Sequence, residues 1–142
     1  MIGIIVTGHG SFASGLASSI EVIAGKQDNF ETVDFPLGST NTDLANDLKK
    51  AVERLNCSDI IFCTDIAGGM PFNQCVMLST RIGNSKVISG TNIPVLLEAL
   101  FSRDNLDASS MADILINSQQ SRIQVFQSRS HNNLNKAGFL HG

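Results

Sequence analysis

The chain has 142 residues and a mass of 15.2 kDa, enough for one domain and too little for two with cores of their own. With 42% hydrophobic and 16% charged residues, a net charge of −3 and a pI near 5.5, it is too apolar for a disordered chain and lacks the basic footprint that nucleic-acid binding needs. The absence of Trp and Tyr removes the commonest aromatic anchors for sugars and single strands.

Ile2 to Val6 is a continuous apolar run ending at Thr7-Gly8, the pattern of a strand buried on both faces. From Phe12 to Ala24 the apolar positions Ala13, Leu16, Ala17, Ile20, Ile23 and Ala24 have helical spacing, and Gly25 is a stop signal. Glu31 to Phe35 reads as a second strand closed by Pro36 and Gly38. Asn41 or Thr42 is placed to cap a helix carrying Leu44, Ala45, Leu48, Ala51, Val52 and Leu55. Ile60 to Cys63 is a third buried strand, ending at Thr64-Asp65. Gly68-Gly69 then makes a turn into a helix from Pro71 to about Arg81, with Pro in its favoured first-turn place. Lys86 to Ser89 is a short fourth strand. Ile93-Pro94 opens a helix through Phe101, and Asp104 and Asp107 offer caps for a last helix bearing Ala108, Met111, Ala112, Leu115 and Ile116. Arg122 to Phe126 has strand character, and the polar, Asn- and Ser-rich stretch 128–142 reads as a mobile tail after a domain spanning 1–127.

Cys57, Cys63 and Cys75 are an odd set without CxxC spacing, which argues for reduced thiols and against a disulfide framework or a zinc site. No apolar run has the length of a signal peptide or a membrane span, so the expectation is a cytoplasmic protein.

Strands alternating with helices predict an α/β fold, a mainly parallel, doubly wound sheet covered on both faces. Ligands of such sheets bind beyond the carboxyl ends of the strands, where the strand order reverses. The residues there are Gly8-His9-Gly10-Ser11, Pro36-Leu37-Gly38-Ser39, Asp65-Ile66-Ala67-Gly68-Gly69 and Gly90-Thr91-Asn92, all rich in Gly and small polar residues that let a backbone approach an anion. His9, between two glycines, has little cover from its chain neighbours. His131 and His141 lie far off in the tail, so no metal cluster and no cofactor is expected, and His9 remains as a nucleophile or general acid/base. Asp65 follows the strand expected beside the first, where a carboxylate would accept a hydrogen bond from one ring nitrogen and fix the tautomer. Gly68-Gly69 and the helix behind it, with the helix start near Ser11 on the other side, would present amides to an anion beside His9. Phe12, Met70 and Phe72 offer either an apolar docking rim or core packing. A rival pattern is present too: Gly8 to Ala13 matches G-x-G-x-x-A, with Asp34 about twenty residues on, the fingerprint of a dinucleotide-binding module.

IIVTGHGSFASGL, TDIAGGMPFN and SGTNIPVLLEAL closely resemble, in order, the IIA component of the mannose family of the bacterial phosphoenolpyruvate-dependent sugar phosphotransferase system, most of all its N-acetylgalactosamine and galactosamine branch. The resemblance runs from about Met1 to Phe126. It implies that His9 takes a phosphoryl group from HPr on Nε2 and passes it to a separate IIB component, with the membrane components IIC and IID downstream, and that Asp65 holds Nδ1. It places Gly10, Ser11, Gly68, Gly69, Met70 and Ser39 around the phosphoryl group. Met70 departs from the Ser or Thr common in the family, which shifts that contact toward backbone amides. The fold implied is a three-layer sandwich, dimeric, with 122–126 exchanged onto the partner's sheet as an antiparallel edge, in a cytoplasmic protein working beside a membrane complex. A phosphoryl-donor subunit of a dihydroxyacetone kinase, a regulatory docking module and a dinucleotide binder are the competing classes.

Overall fold

In the computed structural model, which describes residues 1–128, the strands β1 (Gly3–His9), β2 (Phe30–Phe35), β3 (Ile60–Thr64) and β4 (Ser85–Ile88) form one parallel sheet in the order β2-β1-β3-β4. The helices are α1 (Phe12–Ala24), α2 (Asn41–Arg54), α3 (Met70–Ile82), α4 (Ile93–Ser102) and α5 (Ala108–Ile116). β1 and β3 are the central strands and are buried throughout, except for His9 at the tip of β1. Side chains of a strand alternate between the two faces. Ile4, Val6, Ile61 and Cys63 therefore pack under α1, α4 and α5 with Ile20, Leu96, Ala99 and Met111. Ile5, Ile60 and Phe62 pack under α2 and α3 with Leu44, Leu48, Cys75 and Leu78. This is the three-layer arrangement. After β1 the chain moves outward to β2, then crosses back to β3, so the order reverses between β1 and β3. The C-terminal tips of those two strands carry His9 and lead into Asp65.

Local chemistry explains where the boundaries moved. α2 is capped by Thr40, one residue before the expected candidates. The Thr40 hydroxyl accepts from Asp43 N–H at 3.1 Å while Asp43 Oδ2 accepts from Thr40 N–H at 3.1 Å, a reciprocal capping box. Gly69 caps α3, which puts Pro71 second in the helix. Asn92 Oδ1 caps α4 through Val95 N–H at 3.0 Å, and Asp107 Oδ1 caps α5 through Ser110 N–H at 2.7 Å.

Arg122 to Phe126, expected as an edge strand on a partner's sheet, form no strand within the single chain. Ile123 and Val125 stand in solvent, and no strand of this sheet pairs with the segment. A strand without a neighbouring edge has no ladder to join. The tail assigned to 128–142, with His131 and His141, lies outside the described residues beyond Ser128.

At the opposite end of the sheet the buried Arg103 donates to the carbonyls of Ile2, Asn29 and Asp28 at 3.4, 3.0 and 2.5 Å, tying the entries of β1 and β2 to the end of α4. The periodicity gave no sign of it. Phe62 is the largest fully buried side chain. Phe62→Ala is expected to lower unfolding free energy by about 3–5 kcal/mol, read by denaturant titration, because the cavity sits in a layer closed on both sides.

Candidate functional site

His9 projects from the last position of β1, and three glycines make that possible. A Cβ on Gly8 would overlap the Phe12 ring and lie 2.9 Å from Asp65 Cγ, so Gly8 gives the carboxyl its place. Gly10 has φ +59°, turning the chain away from the strand, and exchanges two backbone hydrogen bonds with Phe35, Gly10 N–H to Phe35 O at 2.8 Å and Phe35 N–H to Gly10 O at 3.3 Å. A Cβ on Gly69 would stand 2.7 Å from His9 Cε1 and 3.4 Å from Nε2, so the start of α3 lies directly against the Cε1–Nε2 edge of the imidazole.

Asp65 binds His9 twice through one oxygen. Oδ2 accepts from the His9 backbone N–H at 2.9 Å and meets Nδ1 at 2.7 Å, while Oδ1 accepts from Ile66 N–H at 2.8 Å. Burial works against the charged carboxylate, but the hydrogen bonds from His9 and Ile66 and the nearby imidazole together outweigh it, and its pKa lies below the ordinary value. An ionised carboxylate is an acceptor only, so Nδ1 carries a proton, and in the neutral imidazole the lone pair then lies on Nε2. The His9 side chain is 50% exposed and that of Asp65 only 15%, which leaves the imidazole reachable and the carboxylate shielded. Asp65 is itself held by the loop after β4, where Gly90 N–H donates to its carbonyl at 3.0 Å and Thr91 N–H to Thr64 O at 3.1 Å. That fourth glycine-rich loop is a support for Asp65.

Of the two helix starts expected beside His9, the one at α3 stands against the ring. Its first-turn amides at Met70 and Phe72 have no intrahelical acceptor, and the helix dipole adds partial positive charge there. Gly68 turns at φ +80° and its carbonyl accepts from Asn73 Nδ2 at 3.2 Å. At α1, Asp34 Oδ1 accepts from Ser14 N–H at 2.9 Å, so that helix start already faces a carboxylate. This also occupies the acidic group that the dinucleotide reading would assign to a ribose. The other residues expected around the phosphoryl group divide. Gly10 N–H is taken by Phe35. Ser11 is exposed and its side chain makes no cap bond. Ser39 closes a turn on Pro36 O at 3.1 Å and makes no hydrogen bond to His9. Met70 is partly buried and packs against the core beneath α2 and α3, Phe12 is partly buried against the opposite core, and Phe72 is partly buried as well.

Two kinds of neighbour escaped the sequence reading. The Phe35 ring meets the His9 ring edge-on, with centroids 6.1 Å apart and planes at 65°. Leu37 and Ile66, in the loops after β2 and β3, are the exposed large apolar residues of those loops. Around them, loops 8–15, 36–43, 65–74 and 89–95 contain no Lys or Arg. Among the described residues no three His, Cys, Asp or Glu side chains come together to hold a metal. Cys57, Cys63 and Cys75 are unbridged, and burial pushes the Cys63 thiol up to about 12, far from a reactive thiolate. No helix among the described residues is long and apolar enough to cross a membrane.

The family model for the PTS system fructose IIA component (EIIA-man) matches residues 3–116. The fructose-specific EIIA component of Bacillus subtilis is 30% identical over 128 residues, covering 89% of this chain and 86% of that protein. The mannose-specific EIIAB component of Escherichia coli K12 is 31% identical over 105 residues, which cover 73% of this chain and 32% of that longer protein. A phosphotransferase system EIIA component from Streptococcus agalactiae superposes with a TM-score of 0.78 at 35% identity, over 85% of this chain and 92% of the other.

Proposed function

We propose a phosphoryl-carrier mechanism from one premise: the chain belongs to the EIIA-man family of the bacterial sugar phosphotransferase system. The observation that carries it is the His9–Asp65 pair, with a shielded carboxylate on Nδ1 and a reachable Nε2 against the start of α3. Nε2 attacks the phosphorus of phosphorylated HPr. The new N–P bond forms as the donor's N–P bond breaks, and the donor imidazole keeps the released electron pair. Asp65 stabilises the positive charge that the His9 ring acquires while Nδ1 retains its proton. The amides of Met70 and Phe72 face the phosphoryl oxygens, so the missing hydroxyl at position 70 is replaced by backbone donors. The histidine of a IIB component then attacks the same phosphorus, the His9 N–P bond breaks with its electron pair returning to Nε2, and IIC and IID use the group during uptake. Leu37 and Ile66 form the apolar contact for both partners.

The domain proposed for this work is 1–127, acting in the cytoplasm beside the membrane complex. The exposed Ile123 and Val125 and the open edge of β4 support a homodimer in which 122–126 pairs with the partner's sheet. The sugar proposed is an amino sugar such as N-acetylgalactosamine, on the likeness of the three motifs; no residue of this chain touches it in the scheme.

Incubation with phosphoenolpyruvate, enzyme I and HPr is expected to add one acid-labile phosphoryl group, seen by intact mass; no gain with active HPr overturns the proposal. Asp65→Asn is expected to slow that transfer by about two orders of magnitude, because an amide no longer fixes the tautomer. The depressed Asp65 pKa also gives a sign for pH. The stability it contributes is fully present above the ordinary carboxylate range and is lost as pH falls through its folded value. The Asn variant should therefore lose less stability than wild type on acidification, and parallel curves in thermal melts would remove that contribution.

A further inference from the structure

We infer that Phe35 is a positioning residue for phosphoryl transfer, an inference that rests on the carrier reading above. Phe35 ends β2 directly opposite His9 in the parallel register, and its backbone makes both hydrogen bonds to Gly10. One residue thus clamps the chain just after His9. Its ring packs on the core beneath α2 and α3 and meets the imidazole at 65° with centroids 6.1 Å apart. The need for a second hold follows from what Asp65 does not fix. A side chain flanked by glycines, tied at Nδ1 alone, still tilts about that hydrogen bond and carries Nε2 with it. Gly69 bounds the motion on the Cε1–Nε2 edge, and Phe35 supplies an oriented aromatic contact. An edge-to-face pair prefers a defined angle, which an aliphatic side chain of similar bulk does not impose. Small displacements of a reacting atom carry large rate penalties in group transfer.

The test measures kcat and KM for phosphorylation by phospho-HPr in wild type, Phe35→Leu and Phe35→Tyr, with nuclear Overhauser contacts between the His9 and Phe35 rings in wild type. Phe35→Leu is expected to lower kcat on the order of tenfold with KM within about twofold. Phe35→Tyr, which keeps the ring, should stay within about twofold of wild type. A Leu variant with wild-type kcat overturns the inference, as does a Tyr variant slowed as much as Leu. If the Leu variant fails to fold, absence of the ring-to-ring contact in wild type still overturns it, and presence with a normal Tyr variant supports it. A wild-type protein that accepts no phosphoryl group removes the carrier reading and this inference together; phosphorylated wild type beside an equally fast Leu variant removes the role of Phe35 alone.

Discussion

His9→Ala is expected to accept no phosphoryl group from phospho-HPr while melting close to wild type. In the proposed mechanism the loss is complete, because the ring supplies the nucleophilic nitrogen and no second histidine shares the described site. The fold survives because the side chain is half exposed at a strand tip and contributes nothing to either core. Asp65 loses its contact to the ring but keeps the backbone donors of residue 9 and Ile66, so its carboxylate is not left bare. The stability change should stay within about 1 kcal/mol. Intact mass and a thermal melt on the same sample separate the two effects. A phosphorylated alanine variant would place the nucleophile elsewhere.

Gly69→Ala should act almost as strongly without touching a reactive atom. The residue sits at φ −75° and ψ 169°, a conformation any residue adopts, so an alanine is not strained by its backbone. The conflict is with the imidazole, whose Cε1 would lie 2.7 Å from the new methyl carbon. The ring has to swing away, which pulls Nδ1 from Asp65 and turns Nε2 from the α3 amides. We expect phosphorylation to fall by about a hundredfold. Loss of glycine at the helix cap and reduced freedom in the unfolded chain oppose one another, so the melting temperature should move little. Unimpaired transfer in this variant would mean that the ring has another productive orientation.

Much of the scaffold was legible because its central strands are buried on both sides and read as unbroken apolar runs. β3 and α1 lie where the sequence places them, β1 runs on past its apolar stretch to His9, and His9 and Asp65 are adjacent as expected, since a reversal of strand order between β1 and β3 brings their tips together. What could not be read depends on partners distant in the chain. Phe35 looked like the end of a strand because its second role, against His9, exists only once β2 lies beside β1. Asp34 matched a ribose-binding acid by spacing and instead serves the first turn of α1. Met70 contacts the core beneath α2 and α3 while staying partly exposed, a placement set by the direction of α3 and not by its spacing. The apolar alternation of 122–126 signals a strand face, but alternation does not name the edge it pairs with. Thr40 was passed over as a cap because the reciprocal bond from Asp43 is seen only when both ends are considered together.

Under the carrier reading proposed above, the absence of Lys and Arg from the four stretches around His9 would set the depth of the well in which a transferred group rests. A fixed cation would hold the phosphorylated state more tightly, and each tenfold gain in holding would add about 1.4 kcal/mol to the step that gives the group away. In that scheme neutral amides, with the Nδ1 proton kept on the ring, hold the two sides of the exchange near level. Flux in the proposed scheme would then run in whichever direction the surrounding pools dictate, with chemical potential relayed and not consumed.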